Sequence, residues 1–249
     1  AALIPGIQVS GFRCLAEIFV ALGASAENLK YPPESVREQP TAEIPEHGIP
    51  SDMSDVAGQA QGRFALEIAA AGVHHLLFTG PPWSGKTMLA ERLPSILPPL
   101  DDYAAMEVTA IRSLTAGGTP LRELVRTPPF EAPHHSASAP AILGGGSGIP
   151  RPGCVSKAHR GVLFLDEAPE FKRTVLDSLR QPLENGEIVL DRSAASATYP
   201  ARFQLILAAN PCPCGMNVGT GTECTCTPRE RRGYFGKLSG PLLDRIDLN

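Results

Sequence analysis

The run Gly80-Pro81-Pro82-Trp83-Ser84-Gly85-Lys86-Thr87 has the spacing G-x-x-x-x-G-K-[ST]. Glycines at the fixed places let main-chain N–H groups converge on one point. A helix starting there adds the partial positive charge of its N-terminus. Such a cradle suits a row of phosphates. Lys86 then meets the outer phosphates and the Thr87 hydroxyl becomes a ligand for Mg2+. Gly80, Pro81, Pro82, Trp83, Ser84, Gly85, Lys86, Thr87 and the following Met88 are therefore the expected binding segment for ATP with Mg2+. Trp83 stands where such loops usually carry glycine. If the backbone there needs a positive φ, a residue with a side chain costs about 1–2 kcal/mol of strain. This predicts weaker nucleotide binding than in a Trp83→Gly variant.

Further along, V-L-F-L-D-E places Asp166 and Glu167 at the end of an apolar run. In open α/β sheets ligands sit at the carboxyl ends of strands. Asp166 is the expected Mg2+ ligand and Glu167 the expected general base for an attacking water. Asn210 ends another apolar run, A-A-N, where an amide could orient that water; a turn-forming Asn before Pro is the plainer alternative. Arg245, in L-L-D-R-I-D-L, reads either as an arginine reaching a neighbouring subunit's nucleotide or as a structural Arg neutralised by Asp244 and Asp247. Cys212, Cys214, Cys224 and Cys226 form two C-x-C pairs on one loop. Four thiolates there suit a tetrahedral structural Zn2+, with free thiols or disulfides as the alternative. His134 and His135 are expected to point apart on an extended segment and to shape their loop. His74 and His75 are expected to cap the approach to the phosphate-loop strand.

These residues need elements to position them. Short apolar strands are expected at 76–78, 162–165 and 203–209. Helices are expected over 58–71 (stripe Ala60, Phe64, Ile68), after Gly85, over 102–113, and through Phe171, Val175, Leu179 and Leu183. A hairpin is expected over 187–200, and a helix capped by Thr227 with Glu230 closing a capping box. The alternation predicts an α/β fold with a largely parallel sheet. Residues 1–30 read as a strand and a helix that cannot bury their apolar face alone. The Pro- and Glu-rich stretch 31–50 reads as a linker, with an ordered surface loop as the alternative for part of it.

Composition agrees. The 249 residues are 43% hydrophobic, with 24 Gly, 25 Pro and a net charge of −4. A strongly basic nucleic-acid coat is excluded, although the acidic excess lies in the first 150 residues and a local basic surface beyond them remains open. No apolar run reaches the roughly 18 residues of a membrane span. Six cysteines are too sparse for a disulfide scaffold, so a cytoplasmic setting is expected.

The order of phosphate loop, D-E strand, Asn strand end and late Arg resembles the AAA+ ATPases. D-V-A-G-Q (55–59), A-P-H-H-S-A-S, A-H-R-G-V-L-F-L-D-E, N-P-C-P-C-G and L-S-G-P-L-L-D-R-I-D-L are similar to the magnesium-chelatase-like ComM/YifB family over about residues 51–249. The resemblance implies a P-loop NTPase core, a homo-hexameric ring and a DNA helicase that promotes branch migration in natural transformation. It makes Asp166 and Glu167 the Walker B pair, Asn210 the first sensor and Arg245 the trans-acting finger, with Val56 and Ala57 lining the adenine. It implies DNA contact through pore hairpins, at Arg192 near one tip and around Gly144–Gly148, Arg151, Lys157 and Arg160 in a second insertion. Residues 1–30 resemble the end of that family's Lon-like (S5-fold) amino-terminal domain. The chain ends where the family continues into a helical lid, which predicts weak turnover and poor ring assembly for this piece. Two other functions stay open: the ATPase subunit of a magnesium chelatase, and a non-catalytic nucleotide-binding module.

Overall fold

The computed structural model describes residues 10–12, 14–26, 51–115, 123–146, 150–191 and 196–249. Most of the strand expected within residues 1–30 falls outside these, as do the linker 31–50 and Arg192. The chain divides into two units, Ala1–Gly48 and Ile49–Asn249. In the first, α1 (Leu15–Ala21) has no buried residue, and Leu15, Phe19 and Leu22 are exposed.

The second unit runs α2 (Ala60–Gly72), β1 (Leu76–Thr79), α3 (Lys86–Arg92), α4 (Asp102–Thr115), β2 (Phe130–Glu131), α5 (Ala139–Leu143), β3 (Gly144–Gly145), β4 (Arg151–Pro152) and α6 (Cys154–Lys157). It continues through β5 (Val162–Leu165), α7 (Arg173–Ser178), α8 (Arg180–Asn185), β6 (Glu187–Asp191), β7 (Ser196–Pro200), β8 (Gln204–Ala209), α9 (Pro228–Phe235) and α10 (Gly240–Leu243). Strands β1, β8, β5 and β2 form one sheet in that order, and every pairing is parallel. Leu248 adds a parallel bridge on the free side of β1. β3–β4 and β6–β7 are separate antiparallel pairs.

A parallel sheet covered on both faces needs strands that are apolar at every position. β5 and β8 are buried throughout. Alternate residues then feed opposite cores. Leu163, Leu165, Leu205 and Leu207 join Ile142, Val155, Val175 and Leu176 on one face. Val162, Phe164, Ile206 and Ala208 join Leu66, Ala69, Leu89 and Leu93 on the other.

Two sequence expectations are corrected. The stripe Ala60, Phe64, Ile68 does not face the core: Phe64 and Ile68 are exposed, and α2 packs through Leu66 and Ala69. Gly62 also lies on that face, where a Cβ would meet Leu89 Cδ1 at 2.6 Å. Close helix approach needs small residues, and the bulkier stripe pointed the wrong way. The helix through Phe171–Leu183 is two short helices, with Leu179 ending α7 and beginning α8. Pro182 cannot donate an N–H to the carbonyl of Ser178, which forces the break. Phe171, Val175 and Leu179 remain buried.

Two neutral imidazoles fasten the amino ends of the strands. His75 Nδ1 accepts from Leu205 N at 3.0 Å, and His159 Nδ1 accepts from Arg202 N at 3.0 Å. His159 is 1% exposed and its Nε2 lies 3.1 Å from Glu107 Oε2, which Arg160 also holds. A protonated ring has no acceptor to offer. Burial holds both histidines below their ordinary value of 6.5. Above that value neither state takes up the proton; below it the unfolded chain does so first, and stability falls as pH falls. Thermal midpoints measured from pH 7.5 to 5.5 should therefore drop below about pH 6.5. The drop should shrink in a His159→Gln variant; a flat profile would contradict the assignment.

Candidate functional site

The phosphate-loop sequence, Asp166-Glu167 and Asn210 follow β1, β5 and β8, three adjacent parallel strands. Their carboxyl ends therefore meet at one edge. Gly85 is left-handed (φ 84°) and begins α3, so Lys86 is its first residue. Lys86 Nζ donates to the carbonyls of Gly80 and Pro81 at 2.8 Å each, to Asn210 Oδ1 at 3.3 Å and to Ser84 Oγ at 3.4 Å. All four acceptors are neutral oxygens, which leaves the positive charge available to an anion. Partial burial lowers the ammonium below the usual lysine value, against the pull of Asp166 and Glu167.

Thr87 Oγ1 donates to Asp166 Oδ2 at 2.6 Å, and Glu167 N donates to Asp166 Oδ1 at 2.8 Å. A hydroxyl and a carboxylate side by side are the hard oxygen donors that Mg2+ takes. With the cationic loop alongside, the residues fit a magnesium–nucleotide. A cleft of about 250 Å³ opens here, lined by Thr87, Glu91, His134, His135, Asp166 and Glu167 among others. A larger cavity of about 820 Å³ lies at the opposite, amino end of the strands, beside His75, Gly161 and Gln204, and contains no phosphate-loop residue.

Trp83 does adopt a positive φ, 60°, and is fully exposed. Glu167 has φ 51°. Non-glycine residues held in this region carry strain, and such residues gather at functional sites. Val56 is buried and its carbonyl accepts from Arg63, while Ala57 is exposed. Gln59, also at positive φ, donates from Nε2 to Ser84 O at 3.1 Å. The side chains of Gln59 and Met88 pack beside Gly85.

His135 was missed by the sequence reading. Its Nδ1 lies 3.1 Å from Glu167 Oε2. The two neighbouring rings do not point apart; their centroids are 4.1 Å apart, and His134 Nδ1 meets Ser136 Oγ at 2.7 Å. The signal lay in β2, too short to detect by pattern, which carries this segment to the sheet beside β5.

Arg245 donates to Glu184 Oε1 at 2.6 Å, not to the flanking carboxylates. Asp247 instead accepts from His75 N at 2.8 Å. Arg160 is tied to Glu107 at 3.0 Å. The β6–β7 hairpin forms as expected, while its tip, 192–195, falls outside the described residues. Arg151 is exposed on β4.

The four cysteines converge. Cys212, Cys214, Cys224 and Cys226 place their sulfurs within 4.8 Å of one another, and all are free thiols. Thr227 caps α9 with the expected capping box.

Comparison with known proteins places these features in a family. The family described as "Magnesium chelatase, subunit ChlI" matches residues 52–249. An uncharacterized protein of Mycobacterium tuberculosis is 52% identical over the whole chain and 47% of its own length. The competence protein ComM of Haemophilus influenzae is 52% identical over 80% of this chain and 38% of its own. The chain thus spans less than half the length of these relatives. A solved complex of magnesium chelatase subunits BchI and BchD aligns with TM-score 0.52 and 23% identity, over 80% of this chain and 60% of that one, and shares the fold. Among the described residues no helix is long and apolar enough to cross a membrane.

Trp83 gives a direct test of the loop geometry. Trp83→Gly removes a fully exposed ring and relieves about 1–2 kcal/mol of left-handed strain, against about 0.5–1 kcal/mol of added unfolded-state freedom. Urea unfolding should show the variant at least as stable as the parent. A loss above about 1 kcal/mol would mean that the indole makes stabilising contacts.

Proposed function

The chain belongs to the magnesium chelatase ChlI family of AAA+ proteins, on its ComM- and YifB-like side, and from that premise we propose that it binds ATP with Mg2+ and couples hydrolysis to branch migration of DNA. The observation that carries the nucleotide reading is the meeting of Lys86, Thr87, Asp166 and Asn210 at one sheet edge.

In this reading, the main-chain N–H groups of 83–86 and the Lys86 ammonium hold the phosphates; Pro81 and Pro82 have no N–H to offer. Thr87 and Asp166 hold Mg2+, which supplies charge neutralisation at the phosphate oxygens. Glu167 draws the proton from the attacking water, and Asn210 orients that water. Val56 and Ala57 border the base. Arg245 exchanges its exposed partner Glu184 for the nucleotide of the next subunit in a homo-hexameric ring. An ion pair this exposed contributes little and is readily given up. The DNA step rests on the resemblance to the ComM/YifB family and on the β6–β7 hairpin, between whose strands the sequence carries Arg192. Contacts from Arg192 and Arg151 to phosphates would be sequence-blind and salt-dependent.

Two measurements test this. Glu167→Gln should keep nucleotide binding while hydrolysis falls at least about a hundredfold. A labelled four-way DNA junction incubated with the protein carried to the full length of its relatives, Mg2+ and ATP should be resolved into migrated product, and Glu167→Gln should abolish this. Absence of junction processing, together with formation of magnesium protoporphyrin in the presence of chelatase partner subunits, would transfer the function to metal insertion.

A further inference from the structure

The loop between β8 and α9 carries chemistry that nucleotide hydrolysis does not use. The separations of three of its sulfurs are 3.4 Å (Cys212–Cys214), 3.7 Å (Cys212–Cys224) and 3.8 Å (Cys214–Cys224). Four thiolates around one ion at the Zn–S distance of about 2.3 Å are about 3.8 Å apart by tetrahedral geometry. A disulfide would require about 2.05 Å. A multi-iron cluster would spread the sulfurs over separate metals, well beyond these separations.

The loop also reaches the phosphate cradle. Gly215 follows the first cysteine pair at φ 78°, and a Cβ there would lie 2.6 Å from Pro82 Cδ. Its N–H donates to Cys212 O at 3.0 Å, and Cys212 lies two residues after Asn210, the acceptor of Lys86. On the other side, Arg231 of α9 donates to Asn217 Oδ1 at 2.8 Å. The loop is therefore pinned at α9 and pressed against the lip of the cradle beside Trp83.

We propose that Cys212, Cys214, Cys224 and Cys226 bind one structural Zn2+, and that this metal knuckle holds Gly215 against Pro82 and so fixes the lip of the phosphate loop. The metal site stands on the cysteine geometry alone. Its effect on nucleotide rests on the phosphate-loop reading above.

The chain has a single tryptophan, Trp83, next to Pro82, so its fluorescence reports on the lip directly. Elemental analysis of the chain purified under phosphine reductant should give one zinc per chain, lost in Cys224→Ser/Cys226→Ser. Cobalt exchange should give thiolate charge-transfer bands. A folded, reduced chain that neither holds nor takes up zinc would overturn the site, and stoichiometric iron would overturn the choice of metal. Chelation of the wild-type chain should lower Trp83 polarisation and weaken Mg-ATP binding roughly tenfold, since a displacement of about 1 Å in a binding group has effects of this order or larger. Added zinc should restore both. Gly215→Ala should retain zinc yet disturb Trp83 in the same direction. Unchanged Trp83 emission and affinity on zinc removal would overturn the clamp, whereas no nucleotide binding even with zinc present would overturn the phosphate-loop reading instead.

Discussion

The contact between the Lys86 ammonium and the Asn210 amide is the constraint around which the fold is arranged. The two residues are distant in sequence, yet their side chains are 3.3 Å apart. That is possible only if β8 lies beside β1, and it does so by inserting between β1 and β5. The same insertion brings Asp166 to the Thr87 hydroxyl. Full burial of β5 and β8 makes this order robust, since each strand supplies both cores and neither can slip by one residue without exchanging its faces.

Left-handed non-glycine backbone occurs at both ends of the strands, with Val73 and Arg160 at the amino end, where anchoring hydrogen bonds also gather. At the carboxyl edge, Trp83, Glu167 and Gln59 all take left-handed backbone conformations. At the amino edge, His75, His159 and Gln204 satisfy backbone groups of neighbouring elements, with Gln204 Nε2 donating to the carbonyls of Ala69 and His74 at 2.9 and 2.8 Å. The left-handed residues of the carboxyl edge border the phosphate-binding segment. Trp83 is the clearest case, with an indole that makes no use of the core and sits at the lip of the cradle.

Much of the site was legible because its chemistry is local. The spacing from Gly80 to Thr87, the D-E pair after four apolar residues and the capping box at Thr227 each specify a backbone shape over a few residues. The strands at 76–79, 162–165 and 204–209 followed from apolar runs too short for helices. What was hidden depends on contacts between segments. The packing face of α2 rests on Gly62, Leu66 and Ala69, where smallness rather than hydrophobicity selects the face. His135 reaches Glu167 through the two-residue strand β2, which has no periodicity to detect. Arg245 stands in an acidic sequence frame, yet its partner Glu184 comes from α8. The proximity of the cysteine loop to Pro82 was equally invisible, since nothing in C-P-C-G states what lies opposite the glycine.

The central claim is that this edge grips a magnesium-bound triphosphate through Lys86. Isothermal titration calorimetry of Mg-ATP into the folded chain, beside Lys86→Ala, tests it most directly. The account predicts saturable one-site binding in the parent and its loss in the variant with the fold intact. Equal binding by both proteins, or no heat in either, would contradict it.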